Sequence, residues 1–298
     1  MKPLFLTLLL AAFLLAGCAS SPTANTSSMP TQPKATIVIV HGAWGGGYAF
    51  KDVDDRLTAD GYKVYRPTLT GQGEKVHLAT LDIDLNTHIN DIVNVLEWED
   101  LHDVILVGHS YGGMVITGVA DRVPQRIKRL IYLDAFLPID GESVNTAAGG
   151  NTIGLQLTTD ANGYILYPGF NTSTLPIPHD VPMPPKTFST PISLKNQDIV
   201  KNIPSTYVMF LGDGQPLAEG RFYVFYQRAQ ARGWHLETLT SDHNAQRTHP
   251  EQLVTLLEND INGITPASVE PRDQDDDSPA KSKRNRNDEV PRGAVTPQ

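Results

Sequence analysis

Cysteine is almost absent. The 298 residues contain one, Cys18, so neither an internal disulfide nor a cysteine-based zinc site is available. There is no excess of basic charge either. The 24 Lys and Arg are outnumbered by 33 Asp and Glu, giving a formal net charge of −9, which argues against a nucleic-acid-binding surface on the folded part. The apolar run Leu4–Ala16 falls short of the roughly 20 residues that a membrane-spanning helix needs, and no internal repeat is visible. What is present is a chain 40% apolar and only 19% charged, enough to build a packed core and unlike a wholly disordered protein.

The two ends differ from the middle. Met1-Lys2-Pro3, the short apolar run and the small residues behind it describe a secretory signal over residues 1–17. Leu15-Ala16-Gly17-Cys18 resembles the lipobox of bacterial lipoproteins. That resemblance implies cleavage before Cys18, lipidation of Cys18 and membrane attachment through it. The protein is then expected in the cell envelope, and in the outer membrane of a Gram-negative cell, since Ala19 follows the cysteine. Residues 18–34, rich in Ser, Thr and Pro, read as a flexible tether. Residues 265–298 set Asp275-Asp276-Asp277 beside Lys281, Lys283, Arg284 and Arg286 and read as a disordered charged tail.

Between them, residues 35–264 suffice for one α/β domain. Thr36–Val40 (TIVIV) is almost continuously apolar and β-branched, as a strand buried on both faces should be. Tyr62–Tyr65, Val104–Val107, Ile127–Leu133, Tyr207–Leu211 and His235–Leu239 continue the series. Helical patterns lie between and behind them, the clearest being Leu85–Trp98, where Leu85, Ile89, Ile92, Val93 and Leu96 share one face. This alternation predicts a mostly parallel twisted sheet with helices on both faces. Residues 138–204 break the rhythm and read as a cap insertion between the fourth and fifth strands.

Gly108-His109-Ser110-Tyr111-Gly112 directly follows the strand VILV and precedes a helical stretch. That is the context of a strand-to-helix nucleophile elbow, which lifts Ser110 Oγ clear of the sheet. A general base then has to sit on another loop at the same sheet edge. His243, on the loop after the last strand, meets that requirement. His249 reads as part of a helix start, His109 lies inside the elbow and is expected to point elsewhere, and His41 reads as structural. No metal-spaced set of His, Asp and Glu appears, so neither a metal nor an organic cofactor is implied.

The elbow, the loop His41-Gly42-Ala43-Trp44 and the order Ser, Asp, His together resemble the α/β-hydrolase superfamily across residues 35–264. The stretches Thr70–Glu74, Val107–Met114 and Tyr132–Phe136 are similar to bacterial esterases related to plant methylesterases and hydroxynitrile lyases. The resemblance implies an oxyanion hole formed by the Ala43 and Tyr111 N–H groups and a pocket including Trp44, Tyr111, Tyr164 and Phe170. It leaves two places for the triad acid: Asp134, at the end of the fourth strand and preferred, or Asp213, after the fifth, where Gln215 fills the family's more usual position. The lyases carry Thr and Lys where this chain has Gly42 and Asn244, and dehalogenases need Asp where Ser110 stands. The expectation is a serine carboxylic-ester hydrolase acting on small-molecule esters through an acyl-enzyme. The alternatives are amidase, lactonase or lyase chemistry on the same site, or a surface ligand binder without turnover.

Overall fold

The structure, a computed structural model, describes residues 32–150, 154, 156–169 and 172–263. The signal segment, Cys18, most of the tether, Phe170 and the 265–298 tail lie outside the described residues. The chain divides into two compact units, Met1–Val254 and Thr255–Gln298. The sheet and every candidate site residue described below belong to the first. The described part of the second is the end of the last helix and the two residues that follow it.

Six strands form a single sheet: β1 (Thr36–Val40), β2 (Lys63–Tyr65), β3 (Val104–His109), β4 (Ile127–Leu133), β5 (Ser205–Leu211) and β6 (His235–Thr240). Their order is β2-β1-β3-β4-β5-β6, and every pairing is parallel. Parallel neighbours need long crossovers, which the helices supply. These are α1 (Lys51–Ala59), α2 (Leu85–Trp98), α3 (Gly112–Arg122), α4 (Lys186–Ser189), α5 (Gln197–Val200), α6 (Tyr223–Ala231), α7 (Ala245–Thr248) and α8 (Pro250–Ile261). Helix α2 starts with a capping box in which Asp84 accepts from the Thr87 N–H and the Thr87 hydroxyl faces the Asp84 N–H. All six residues of β3 are buried, as in a strand covered on both faces. No described helix is long and apolar enough to cross a membrane.

Register brings the strand ends together. Val40 is level with Gly108, His109 with Leu133, Leu133 with Val208, and Leu211 with Thr240. The residues just beyond these pairs (His41, Ser110, Asp134 and Ser241) therefore leave the sheet along one edge. Hydrogen bonds continue past the strands, from Ser110 N to Leu133 O (3.2 Å), Asp134 N to Val208 O (2.8 Å) and Ser241 N to Leu211 O (2.8 Å).

The segment between β4 and β5 is tied to the rest at several points. Arg228 of α6 makes a two-pronged ion pair with Glu142, at 2.6 and 3.0 Å. Asp121, near the end of α3, accepts the main-chain N–H groups of Lys195 and Asn196. Ile165 and Met183 exchange antiparallel hydrogen bonds, both 2.8 Å. These contacts orient a stretch whose own sequence has no helical or strand period.

Close approach explains the double glycine that opens α3. A Cβ on Gly113 would lie 2.0 Å from the Phe136 carbonyl oxygen, and one on Gly112 would lie 2.5 Å from that of Val40. Replacing Gly113 with Ala should lower unfolding stability by about 1–3 kcal/mol in urea titration, since backbone has to move. At Gly118, where the new Cβ meets the tip of the Ile89 side chain, Ala should cost less. Equal losses at the two sites would contradict the close-approach argument.

Candidate active site

Three non-glycine residues at the sheet edge have positive φ: Trp44 (63°), Ser110 (54°) and Asp134 (43°). The left-handed region is unfavourable for a residue with a side chain and persists where surrounding contacts over-determine it. At Ser110 the sharp turn separates β3 from α3, and the Ser110 carbonyl accepts from both Gly113 N (3.1 Å) and Phe136 N (3.0 Å). The turn at Asp134 directs its carboxylate toward the loop after β6.

Ser110, His243 and Asp134 lie in one hydrogen-bonded chain. His243 Nδ1 is 2.6 Å from Asp134 Oδ2, and His243 Nε2 is 3.0 Å from Ser110 Oγ. A carboxylate only accepts, so Nδ1 carries the proton and Nε2 offers its lone pair to the Ser110 hydroxyl. The other Asp134 oxygen accepts from Phe210 N (3.3 Å). Asp213 stands exposed on the turn after β5, and the side-chain hydrogen bonds of His243 go to Asp134 and Ser110.

Several contacts fix the His243 ring and loop. Phe222 lies flat against the ring, with centroids 5.2 Å apart and planes 7° apart. Asp242 accepts from Asn244 N and from the Thr248 hydroxyl, both at 2.9 Å. His109 Nε2 donates to the His243 carbonyl (2.8 Å). His109 therefore does not turn away from the site as the sequence suggests. Its buried ring lines the same cavity, 4.7 Å from the His243 ring. His249 hydrogen-bonds Ser241 Oγ at 3.0 Å, just before α8.

The chain opens into a cavity of about 280 Å³. The main-chain N–H groups of Ala43 and Tyr111 have no hydrogen-bond partner among the described residues, and both residues line this cavity beside Ser110. Trp44 lines it too, anchored by its indole N–H on Ile165 O (3.0 Å) and packed edge-on against Tyr167 and Phe188. Tyr111 stacks on Phe188 at 5.9 Å. Tyr164, expected in the pocket, is not part of the lining; its hydroxyl reaches Ala79 O at 3.3 Å. Sequence reading missed Tyr167, Phe188 and Asp180, which come from the β4–β5 segment, and Arg221 and Arg247. Nothing local marks any of the five. Among the described residues, no His, Cys, Asp and Glu cluster able to hold a metal lies at Ser110.

Three buried histidines surround this centre, each held neutral. His41 Nδ1 donates to Gly42 O (2.7 Å) while its Nε2 accepts from Leu69 N (3.0 Å), so a second proton would face an N–H. Burial brings its pKa down from 6.5 to about 4, although the Gly42 hydrogen bond works the other way. His88 donates from Nε2 to Thr70 O and accepts the Tyr111 hydroxyl at Nδ1, both at 2.9 Å. Thr70 in turn donates twice to Asp91. A buried relay thus holds Tyr111 in place. Burial lowers the pKa of His88 as well, and burial followed by the nearby His243 charge lowers that of His109.

The model of the Alpha/beta hydrolase family matches residues 37–256. Among relatives, a carbendazim hydrolyzing esterase of Nocardioides sp. (strain SG-4G) is 53% identical over 110 residues, 37% of this chain and 46% of that protein. A pyrethroid hydrolase of Sphingobium wenxiniae is 36% identical over 113 residues, 37% and 39% of the two chains. Salicylic acid-binding protein 2 of Nicotiana tabacum is 34% identical over 106 residues, 34% and 40%. In each case the match spans less than half of the relative's length. In three dimensions, an extracellular alpha/beta-hydrolase from a Paenibacillus species superposes with a TM-score of 0.58 at 24% identity, covering 75% of this chain and 97% of that one. A pyrethroid hydrolase gives 0.60 at 23%, covering 76% and 97%. These two likenesses show a shared fold.

The neutral histidines couple stability to pH. An unfolded chain binds a proton at such a histidine below about pH 6.5, whereas the folded chain refuses it until lower pH, so stability falls as pH drops through that interval. For His41, with its window from 6.5 to about 4, the loss is about 3 kcal/mol. Urea unfolding at pH 7.5, 6, 5 and 4.5 should show a steadily falling free energy. A flat profile would contradict neutral burial.

Proposed function

The chain belongs to the alpha/beta hydrolase family, and from that premise we propose that it is a serine esterase acting on small carboxylic esters. Support comes foremost from one observation: the hydrogen-bonded chain from Asp134 through His243 to Ser110, which opens on a cavity lined by two N–H groups without a partner among the described residues. Relatives named as an esterase, a pyrethroid hydrolase and methylesterases support the same reading.

In this mechanism His243 Nε2 takes the Ser110 hydroxyl proton as Oγ bonds to the ester carbonyl carbon. The carbonyl electron pair moves onto its oxygen, where the Ala43 and Tyr111 N–H groups stabilise the charge. Such donors lose their value when displaced, typically costing about 2.7–4 kcal/mol each. Collapse of the intermediate breaks the bond to the alkoxy oxygen, which leaves with the proton from His243. Water then repeats the sequence on the acyl-enzyme, yielding the carboxylic acid and restoring Ser110. Asp134 keeps the imidazole in the required tautomer and offsets its positive charge. Trp44, Tyr111 and Phe188 give the substrate an apolar wall.

Hydrolysis of 4-nitrophenyl acetate and butyrate should be abolished in Ser110→Ala and reduced by about 10⁴-fold in Asp134→Asn, by analogy with other triads. Asp213→Asn should retain activity. Turnover surviving in Ser110→Ala would overturn the serine mechanism, and a large loss in Asp213→Asn would move the acid.

The sequence Leu15–Cys18 supports attachment to the cell-envelope membrane by acyl chains on Cys18, each buried methylene contributing about 0.8 kcal/mol. Cells fed radiolabelled palmitate should label the full-length protein and not Cys18→Ser. Equal labelling would refute lipidation at this residue.

A further inference from the structure

The cavity beside Ser110 is lined by aromatic side chains and also by three charged ones, Asp180, Arg221 and Arg247. Two of these charges are committed to each other. Asp180 Oδ1 accepts from Arg247 Nη2 and from the Tyr48 hydroxyl, both at 2.6 Å, and the Arg247 guanidinium lies over the Tyr48 ring. Arg221 is different. It is exposed, lines the cavity, and has no hydrogen-bond, ion-pair or ring partner among the described residues.

Its main chain is nonetheless well fixed. Phe222, the next residue, is fully buried and stacked on the His243 ring. On the other side, Gly220 donates to Leu217 O and accepts from Tyr223 N, and a Cβ there would meet Met209 at 2.6 Å. The backbone that carries Arg221 is thus held against the ring that touches Ser110 Oγ, while the guanidinium itself is left unmatched. In a chain of net charge −9, an arginine at the cavity with no partner among the described residues is a cation left available to a ligand. A charge-lined cleft with low-dielectric walls concentrates ligands of opposite charge, and a guanidinium is well suited to carboxylates.

Resting on the esterase reading above, we infer that the preferred substrates are esters bearing a second, ionised acid group, which Arg221 binds while the apolar wall takes the rest of the molecule. Such half-esters place a carboxylate on either the acyl or the alcohol side of the scissile bond. Arg221 is then a specificity-determining residue that acts on binding, with its effect in KM more than in kcat.

The experiment compares matched charged and neutral esters on the full-length protein. Mono-4-nitrophenyl glutarate is set against 4-nitrophenyl 5-methylhexanoate for the acyl side, and 4-acetoxybenzoate against 4-isopropylphenyl acetate for the alcohol side. In one of the pairs, the charged-to-neutral ratio of kcat/KM should fall about five- to tenfold from wild type to Arg221→Gln, chiefly through KM. It should fall further in Arg221→Glu and be partly restored in Arg221→Lys. Raising NaCl from 0.05 to 0.5 M should shrink the wild-type ratio and leave that of Arg221→Gln unchanged. A charged-to-neutral ratio unchanged between wild type and Arg221→Gln in both pairs, with the neutral esters still hydrolysed, would overturn the inference and leave the esterase reading standing. No turnover of any ester by folded wild type would overturn that reading and this inference with it.

Discussion

The backbone at Ser110 is held at a positive φ between a buried strand and a glycine-rich helix start, and the other parts of the site are arranged around that turn. A non-glycine residue in this region costs of order 1–3 kcal/mol, so it survives only if its neighbours leave it no alternative. They do so through long-range hydrogen bonds. Ser110 is tied at its N–H to Leu133 and at its carbonyl to Phe136, the residues flanking the turn at Asp134. Asp134 is tied to β5. Trp44, the third strained residue, is held from the β4–β5 segment by Val181 N on its carbonyl and by Ile165 O on its indole. The same contacts that tolerate strain at each site residue also fix where that residue points.

Around this frame the polar interior is arranged with little freedom of protonation. His41, His88 and His109 each use one ring nitrogen to donate to a main-chain carbonyl, and burial keeps all three uncharged near neutral pH. The cationic side chains lining the cavity are therefore Arg221 and Arg247, while His243 is hydrogen-bonded to Asp134. Neutral histidines limit competing charge near the Ala43 and Tyr111 N–H groups.

The β4–β5 segment supplies much of what a ligand would meet. Tyr167 and Phe188 extend the aromatic wall begun by Trp44 and Tyr111, and Asp180 neutralises Arg247. Family membership carries the fold, whereas much of the cavity lining depends on a segment whose residues are set by cross-contacts to α3 and α6. Much of the cavity lining therefore lies in a part of the chain that the shared fold does not specify.

Much of the architecture was legible in the amino-acid order because the signals are local. TIVIV, VILV and IKRLIYL are strands because β-branched and apolar runs bury well in a parallel sheet, and each occupies the expected place as β1, β3 and β4. The elbow was legible because glycines must stand where main chains approach within van der Waals distance. The identity of the carboxylate facing His243 was not, because Asp134 and Asp213 both follow strands. Register and the turn at Asp134 bring one of them to 2.6 Å, and no property of either residue alone encodes that difference. The same holds for Tyr167, Phe188 and Asp180, which lie in a segment without period, and for Arg221, which has no partner among the described residues. Sequence by itself determined the strands, the longer helices and the turn that presents Ser110, since these follow from short-range sterics and burial. Tertiary structure alone decided which distant side chains meet there, since strand register and long-range hydrogen bonds set those distances.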